Sequence, residues 1–225
     1  MPRPATLEES TMTTHPGKTA FTAHELYALI QPAPGKALSA GAVSAFGFPG
    51  PDPDPAMYAA GISTLAIRNR LNLAPQPPQA DPETATVARL MQEASLWVRL
   101  LLVTGEGRQA LRVGLGPRGH VFFTPDGEGA YSVDLLSSGE HLVEDLSGIL
   151  TALLRPLVQG GEALLLASAH DQDGERPANL RVGPGTLGLA AGPVDAEGRL
   201  PEIPVEGIDA AARMMASRLV EDSPA

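Results

Sequence analysis

The spacing of apolar residues changes near residue 96, and the change divides the chain into a helical part and a strand-rich part. Upstream, one set of apolar residues recurs at i, i+3, i+4 and i+7, which predicts a helix with one buried face; the set is Val87, Leu90, Met91 and Ala94. Downstream, residues 97–103 form an almost continuous apolar run, broken by Arg99, which predicts a strand.

Local start signals define the helices of the first part. Thr22 and Glu25 have the spacing of a capping box, in which each side chain bonds the other residue's backbone amide, and this predicts a helix over 23–30. Asp54-Pro55 and Asp81-Pro82 each combine an N-cap carboxylate with a proline in the first turn, so two further helices begin there. The first of these is expected to reach about Leu71. Segments without such signals are expected to be a short strand at 42–48 and an exposed linker at 74–80.

The second part predicts two series of strands, each closed by a helix. In the first series the expected strands lie at 97–103, 109–115, 120–124 and 131–135. The helix that follows is expected over about 139–154, with Ser137 and Glu140 as its capping box and Pro156 after its end. In the second series the expected strands lie at 163–167, 179–182, 187–190 and 203–205, and a final helix begins at Ile208.

The two series also share letters. Residues 111–119 (LRVGLGPRG) and 180–188 (LRVGPGTLG) agree at six of nine positions, at a constant offset of 69 residues. The order of elements around them agrees as well, which predicts a duplicated strand–hairpin–strand–helix unit over 97–154 and 163–220. We therefore expect an α+β fold, with a mainly antiparallel twisted sheet, packed helices and the two repeats in a pseudo-two-fold arrangement. A disordered tail at 1–20 and a helical part at 21–96 would precede the repeats in one compact unit.

Composition narrows the function mainly by exclusion. The 225 residues carry a formal net charge of −10, which is opposite in sign to a surface for nucleic acid or an anionic membrane. The chain has no cysteine, which excludes disulfides, thiolate zinc sites, iron–sulfur clusters and cysteine catalysis. No apolar run approaches the roughly 18 residues of a membrane span, and no signal pattern is visible, so the expected location is cytoplasmic.

Motifs that resemble chemical sites are better explained as turns. Gly114–Gly119 and Gly183–Gly188 both read G-x-G-x-x-G, but a strand rather than a helix follows each, which predicts hairpins instead of a dinucleotide site. The acidic segment His170–Glu175 lacks the ligand positions of a calcium loop. The histidines do not have metal-ligand spacing; they are His15, His24, His120, His141 and His170. We expect no enzymatic activity, no catalytic residue, no metal and no cofactor.

The expected partner is another protein. An arginine-rich stretch over 56–112, read as helix, helix and hairpin, also fits a winged-helix DNA-binding or regulatory protein, and this is the alternative; the acidic net charge makes nucleic acid the less favoured partner. Trp97 opens an apolar strand and is expected to pack in the core or at its rim, with an interface anchor as the alternative. Met214 and Met215 are adjacent on the final helix, so one of them is expected to point away from the sheet. These features favour a non-enzymatic adaptor that binds a protein partner or forms a homodimer without membrane contact.

The order of parts resembles that of the EspG-type chaperones of type VII (ESX) secretion. The resemblance rests on Thr22-Ala-His-Glu-Leu26, on Leu65-Ala-Ile-Arg68 and the residues to Leu71, on the helix and strand at 82–103, and on the amphipathic helix at 141–154. It implies a quasi-two-fold α+β fold and a cytosolic, non-enzymatic chaperone that binds a secreted helical substrate pair. It assigns no partner-binding residue, because no shared motif fixes one.

Overall fold

The computed structural model describes residues 19–31, 35, 37–126, 129–138, 141–171, 174–190 and 201–221. Within these residues the chain forms a nine-stranded antiparallel sheet, a separate two-stranded ribbon and six helices; five helices contact the large sheet, and the one at Pro55–Ile67 packs on the first helix. The predicted α+β class is therefore confirmed. Of the expected tail at 1–20, residues 1–18 lie outside the described residues, and Thr19 and Ala20 belong to the first strand.

The first part of the chain contains four helices; start signals predict the three that begin at Ala23, Pro55 and Pro82, but not the one at Ala40–Phe46. Its elements are β1 (Thr19–Thr22), α1 (Ala23–Ile30), α2 (Ala40–Phe46), α3 (Pro55–Ile67), β2 (Leu71–Asn72), β3 (Gln79–Ala80) and α4 (Pro82–Glu93). The capping box of α1 is present in both directions, since Glu25 N donates to Thr22 Oγ1 and Thr22 N donates to the Glu25 carboxylate. Asp54 and Asp81 cap α3 and α4 as expected.

The second part contains the predicted strands and helices in the predicted order. Its elements are β4 (Leu96–Thr104), β5 (Gly107–Gly116), β6 (Gly119–Pro125), β7 (Ala130–Leu136), α5 (Leu142–Gly160), β8 (Ala163–Asp171), β9 (Gly174–Gly183), β10 (Thr186–Ala190), β11 (Glu202–Val205) and α6 (Ile208–Glu221). Both glycine-rich segments lie at strand hairpins, β5–β6 and β9–β10, as predicted.

The sheet is two four-strand meanders joined along β4 and β8, with β1 added at one edge. The strand order is β1-β7-β6-β5-β4-β8-β9-β10-β11, and Leu100 pairs with Ala167 in the central ladder. The tight turns follow Gly116 and Gly183, which pair with Gly119 and Thr186. The two turns thus correspond at an offset of 67 residues, two fewer than the matching letters indicate. The internal duplication itself stays a prediction.

One face of the sheet is covered by the two C-terminal helices, and we call it the α5/α6 face. Leu146, Leu150 and Leu154 of α5 and Met215 and Leu219 of α6 are fully buried. They pack in one cluster with the even-numbered apolar residues of β4 and the odd-numbered residues of β5 and β8. Met214, next to Met215, is 38% exposed, so the prediction that one methionine points outward is confirmed.

The opposite face, which we call the N-terminal face, is covered in part by α1 to α4. Trp97, Val121 and Phe123 of the sheet join a second apolar cluster there with residues of these helices. Trp97 is 1% exposed, which confirms its predicted place in the core. Its ring lies over Gly114, its partner across β4 and β5, where a Cβ would approach the ring to 2.9 Å. A residue without a side chain is therefore required at that strand position.

The short strand expected at 42–48 is wrong, because these residues belong to α2. Ser39 accepts a hydrogen bond from Ala42 N at the start of this helix, and Gly47 adopts the left-handed conformation at its end. Ala42 and Ala45 are buried in the second cluster. A run of small apolar residues fits either element by pattern alone, and here the two caps and the packing of α2 on β4 and β8 select the helix.

Three helix boundaries also differ from expectation. Helix α3 ends at Ile67 rather than near Leu71, because Asn69 takes a positive φ of 57°. Helix α5 begins after His141 rather than at 139, and Glu140 of its expected capping box lies outside the described residues. Pro156 does not end α5, which runs on to Gly160 while Leu157 and Val158 pack against the core. That packing offsets the backbone hydrogen bond that a proline removes.

Candidate protein-binding face

The N-terminal helices leave part of their own face of the sheet bare. Two cross-strand pairs in the central ladder, Leu101 with Leu166 and Val103 with Leu164, point to this side. All four side chains are partly exposed, and none of them packs against either apolar cluster. We call this area the open face and define it by Arg99, Leu101, Val103, Arg108, Ala110, Arg112, Leu164, Leu166, Ser168, Pro177, Asn179 and Arg181.

The open face contains a shallow cavity of about 340 Å³. Leu101 and Leu166 form its floor, and polar side chains surround them, among them Arg99, Arg112 and Ser168. An aliphatic centre with a polar margin is the usual composition of a surface that another protein covers.

Arginine side chains dominate the electrostatics of the open face. Arg99 and Arg112 are directly opposite each other on β4 and β5. Arg112 donates from Nε to the carbonyl of Ala45 at 2.7 Å, and its guanidinium lies over the rings of Phe46 and Tyr131 at 5.5 and 5.0 Å. Burial lowers the pKa of Arg112 below its ordinary value, although the group remains a cation at neutral pH.

The far margin of the open face carries an ion pair. Arg181 on β9 donates from Nε to Glu202 on β11 at 2.9 Å. Both side chains are well exposed, so the pair contributes little to stability. It keeps Arg181 in a fixed direction beside Gly188, the β10 residue between them.

Two other concavities have different characters. A cleft of about 600 Å³ between α2 and the start of β4 contains Asp171 and Arg176, which already pair with each other at 2.5 Å. Arg176 also donates to the carbonyl of Leu219, and this hydrogen bond links α6 to the sheet. A groove of about 720 Å³ lies between β7 and α5 and combines Phe122 and Ile149 with the acidic Asp134.

Of the four histidines that the structure describes, His120 and His170 are buried, and each lies near a carboxylate. His120 Nε2 lies 2.8 Å from Asp145 Oδ2, while its Nδ1 accepts from Gly116 N at 3.4 Å. Nε2 is therefore the protonated nitrogen that donates to Asp145. This contact joins the β5–β6 hairpin to α5. The sequence did not indicate it, because along the chain Asp145 is close only to His141, which is exposed at the N-cap of α5.

His170 has a different set of neighbours. Ser168 Oγ and Glu175 Oε1 lie 2.8 and 3.9 Å from the same nitrogen, Nε2. A Ser-His-acid triad needs the acid on the opposite nitrogen, where it orients the ring. Burial lowers the pKa of His170, which keeps the ring neutral at pH 7. His170 and His120 are on opposite faces of the sheet, so they share no site.

The other described histidines, His24 and His141, do not extend either contact. His24 is exposed on α1, and His15 lies outside the described residues. Among the residues that the structure describes, no group of three His, Asp or Glu side chains could hold a metal ion. No described helix is both long and apolar enough to cross a membrane.

The arginines that suggested a basic helix–hairpin module are dispersed. Arg68 pairs with the buried Glu25 at 2.7 Å, and Arg70 lies 4.4 Å above the ring of Phe21. Arg99, Arg108 and Arg112 are on the open face. The β4–β5 hairpin is central in the sheet rather than a projecting wing, so the winged-helix arrangement is wrong. The two-residue turn at 105–106 is the sequence signal that could have placed Arg99 opposite Arg112.

Comparison with known proteins adds evidence on the fold. No protein-family model matches the sequence. No curated protein matches it either. Among solved structures, the chain is similar to the Mycobacterium tuberculosis type VII secretion system chaperone EspG5, solved in complex with the PE25–PPE41 dimer. The TM-score is 0.52 at 10% identity, and the match covers 91% of this chain and 96% of the EspG5 chain.

The chain has an EspG5-like fold. At 10% identity the likeness concerns the fold alone, and at this level it confirms the resemblance indicated by the order of parts. Because almost the whole of each chain is matched, the N-terminal helices and both strand meanders are included in the likeness.

Proposed function

We propose that this protein is a non-enzymatic adaptor of the cytoplasm that binds a secreted helical protein through its open face. The observation that carries the proposal is the partly exposed aliphatic patch of Leu101, Val103, Leu164 and Leu166 at the centre of the sheet. A central ladder is normally the most deeply buried part of a sheet. Leaving one of its faces bare in a monomer is costly, and a partner that covers it recovers the apolar burial.

The fold supports a chaperone in particular. EspG5 is a secretion chaperone and was solved with a protein dimer bound. A helical partner also suits the shape of the open face, because a helix about 10 Å in diameter spans roughly two strands spaced about 4.8 Å apart. The contacts of His120 and His170 fit structural roles, which agrees with a function without catalysis.

The test is capture of the partner from the native cytoplasm with a matched pair of variants. The double variant Leu101→Asp with Leu166→Asp places two charges in the patch, whereas Ile67→Asp makes the same change at a residue that is 80% exposed at the end of α3. We expect a helical protein to elute in stoichiometric complex with the wild type and with Ile67→Asp, but not with the double variant.

Three results would overturn the proposal. One is a homodimer without any co-purifying protein, and another is a partner that the double variant retains. The third is salt-dependent binding of duplex DNA, measured at about 50 and about 200 mM salt, which would favour the regulatory alternative. Circular dichroism of each variant establishes that the fold is intact before capture is compared.

A further inference from the structure

The margin of the open face contains two like charges, and no described residue places a counter-ion between them. Arg99 and Arg112 are paired across β4 and β5, a position in which like charges destabilise a sheet. Arg99 is exposed and makes no ion pair with any described residue. The next residue across the sheet is Ser168, which supplies no charge.

Arg112 is held in place but its charge is not compensated. Its Nε bond to the Ala45 carbonyl and the rings of Phe46 and Tyr131 fix the guanidinium at the boundary between α2 and the open face. Its Nη1 is buried and has no hydrogen-bond partner among the described groups. Burial lowers the pKa of this group, which is the expected effect of desolvation without a nearby anion.

The neighbouring acids do not neutralise the pair. Glu202 is already bonded to Arg181. Glu175 lines the same cavity, but its side chain is 62% exposed and is directed to His170 at 3.9 Å. The open face therefore concentrates uncompensated arginines in a chain whose net charge is −10. A partner that covered Arg99 and Arg112 without supplying an anion would bury two unpaired cations, which is strongly unfavourable.

We propose that the partner places an aspartate or glutamate carboxylate between Arg99 and Arg112, beside the patch formed by Leu101 and Leu166. This inference rests on the proposed function and specifies the partner class: an amphipathic helix whose apolar stripe is flanked by acidic residues. The aliphatic patch contributes the apolar area that is buried on binding. The arginine pair fixes the position of the bound helix and selects an acidic partner, because a guanidinium binds a carboxylate in a defined, bidentate geometry.

Three labelled helical peptides of about 20 residues test the inference. They share one leucine stripe at i, i+3, i+4 and i+7 and differ only in the flanking residues, which are Glu, Gln or Lys. Fluorescence anisotropy with the full chain gives their affinities. We expect the Glu peptide to bind about tenfold more tightly than the Gln peptide and the Lys peptide to bind least. Binding of the Glu peptide should weaken between about 50 and about 300 mM salt.

Variants separate the arginine pair from the general charge of the protein. Arg99→Gln should lower the affinity for the Glu peptide about tenfold and leave the affinity for the Gln peptide unchanged. Arg155→Gln, the same change at an exposed position of α5, should alter neither affinity. Arg99→Glu should reverse the order of the Glu and Lys peptides. Arg99 makes no ion pair with any described residue, so we expect these variants to keep the structure intact.

Equal affinity for the Glu and Gln peptides would overturn the acidic anchor, and so would the absence of binding by both. An unchanged preference in Arg99→Glu would overturn it as well. These failures are distinct from failure of the proposed function: if Leu101→Asp with Leu166→Asp abolishes partner capture while the peptides show no charge preference, the open face is the binding site and only the acidic anchor is wrong.

Discussion

Glycine-to-alanine changes at two helical positions should have opposite effects on stability. Gly61 is buried in α3 where that helix crosses α1, and a Cβ there would be 2.1 Å from the carbonyl oxygen of His24 and 2.7 Å from Ala28 Cβ. Gly148 is exposed in α5, and a Cβ there would meet nothing within 4 Å. The same added methyl group therefore probes helix contact at one site and helix propensity at the other.

The expected magnitudes follow from these surroundings. At Gly61 the obstructing atoms are backbone and Cβ atoms, which cannot rotate away, so α3 must move from α1 at a cost of about 3 kcal/mol. Alanine's better helix propensity returns about 1 kcal/mol, which leaves a net loss of about 2 kcal/mol. At Gly148 only the propensity term acts, so Gly148→Ala should stabilise the protein by about 1 kcal/mol.

Thermal unfolding and urea unfolding, each followed by circular dichroism, measure both changes. With about 2–4 °C per kcal/mol for a chain of this size, the Tm should fall by about 4–8 °C for Gly61→Ala and rise by about 2–4 °C for Gly148→Ala. The urea m-value should stay the same in both variants, since neither changes the area exposed on unfolding. A Gly61→Ala protein as stable as the wild type would show that α1 and α3 are not in backbone contact.

Other predictions concern buried charges and pH. Glu25 is fully buried between the Thr22 amide and Arg68, so Glu25→Gln should lower the free energy of unfolding by about 2 kcal/mol, and a double-mutant cycle with Arg68→Gln should show coupling between the two residues. Because burial lowers the pKa of His170 from 6.5, the unfolded chain binds the proton first. The wild type should therefore lose stability as pH falls below 6.5, and His170→Gln should be less sensitive; equal pH profiles would refute this. Burial raises the pKa of Asp81, but hydrogen bonds from Thr84 and the Glu83 amide outweigh burial and lower it overall, so the stability advantage of wild type over Asp81→Ala should shrink as pH falls through that pKa.

Three helix starts could be predicted from the sequence because the residues that cap them are close neighbours in the chain. The capping box at Thr22 and the aspartate–proline starts at Asp54 and Asp81 use side chains within three residues of the amides they bond, so no tertiary information is needed. The identity of α2 depends on more distant contacts. Its Gly41 lies against the His170 carbonyl of β8, a contact that no local pattern contains.

Strand pairing shows a second limit of the sequence. The matching letters place the two glycine-rich hairpins 69 residues apart, whereas the paired turns are 67 apart. Side chains alternate with a period of two along a strand, so a shift of two residues leaves every side chain on the same face. Hydrophobic pattern cannot detect such a shift, and only the turn geometry fixes it. The open face was missed for a related reason, because it depends on which strands the N-terminal helices leave bare.

The open face is a consequence of unequal covering of a regular sheet. The two C-terminal helices lie together on one face, whereas β1 adds to β7 only and the helices after it fold back over that side. On that side β8 is covered only where α2 packs on it, and β9 to β11 contribute no described residue to the apolar cluster of the N-terminal helices. The asymmetry also bears on self-association: a two-fold dimer through the open face would bring Arg99, Arg108 and Arg112 of both copies into one interface. Like charges buried together oppose such a dimer.

We therefore expect the isolated protein to be a monomer by light scattering at low salt. Arg99→Glu should promote dimerisation, because it places acids opposite the partner copy's arginines. A wild-type dimer that Leu101→Asp with Leu166→Asp dissociates would show instead that the open face is a homodimer interface.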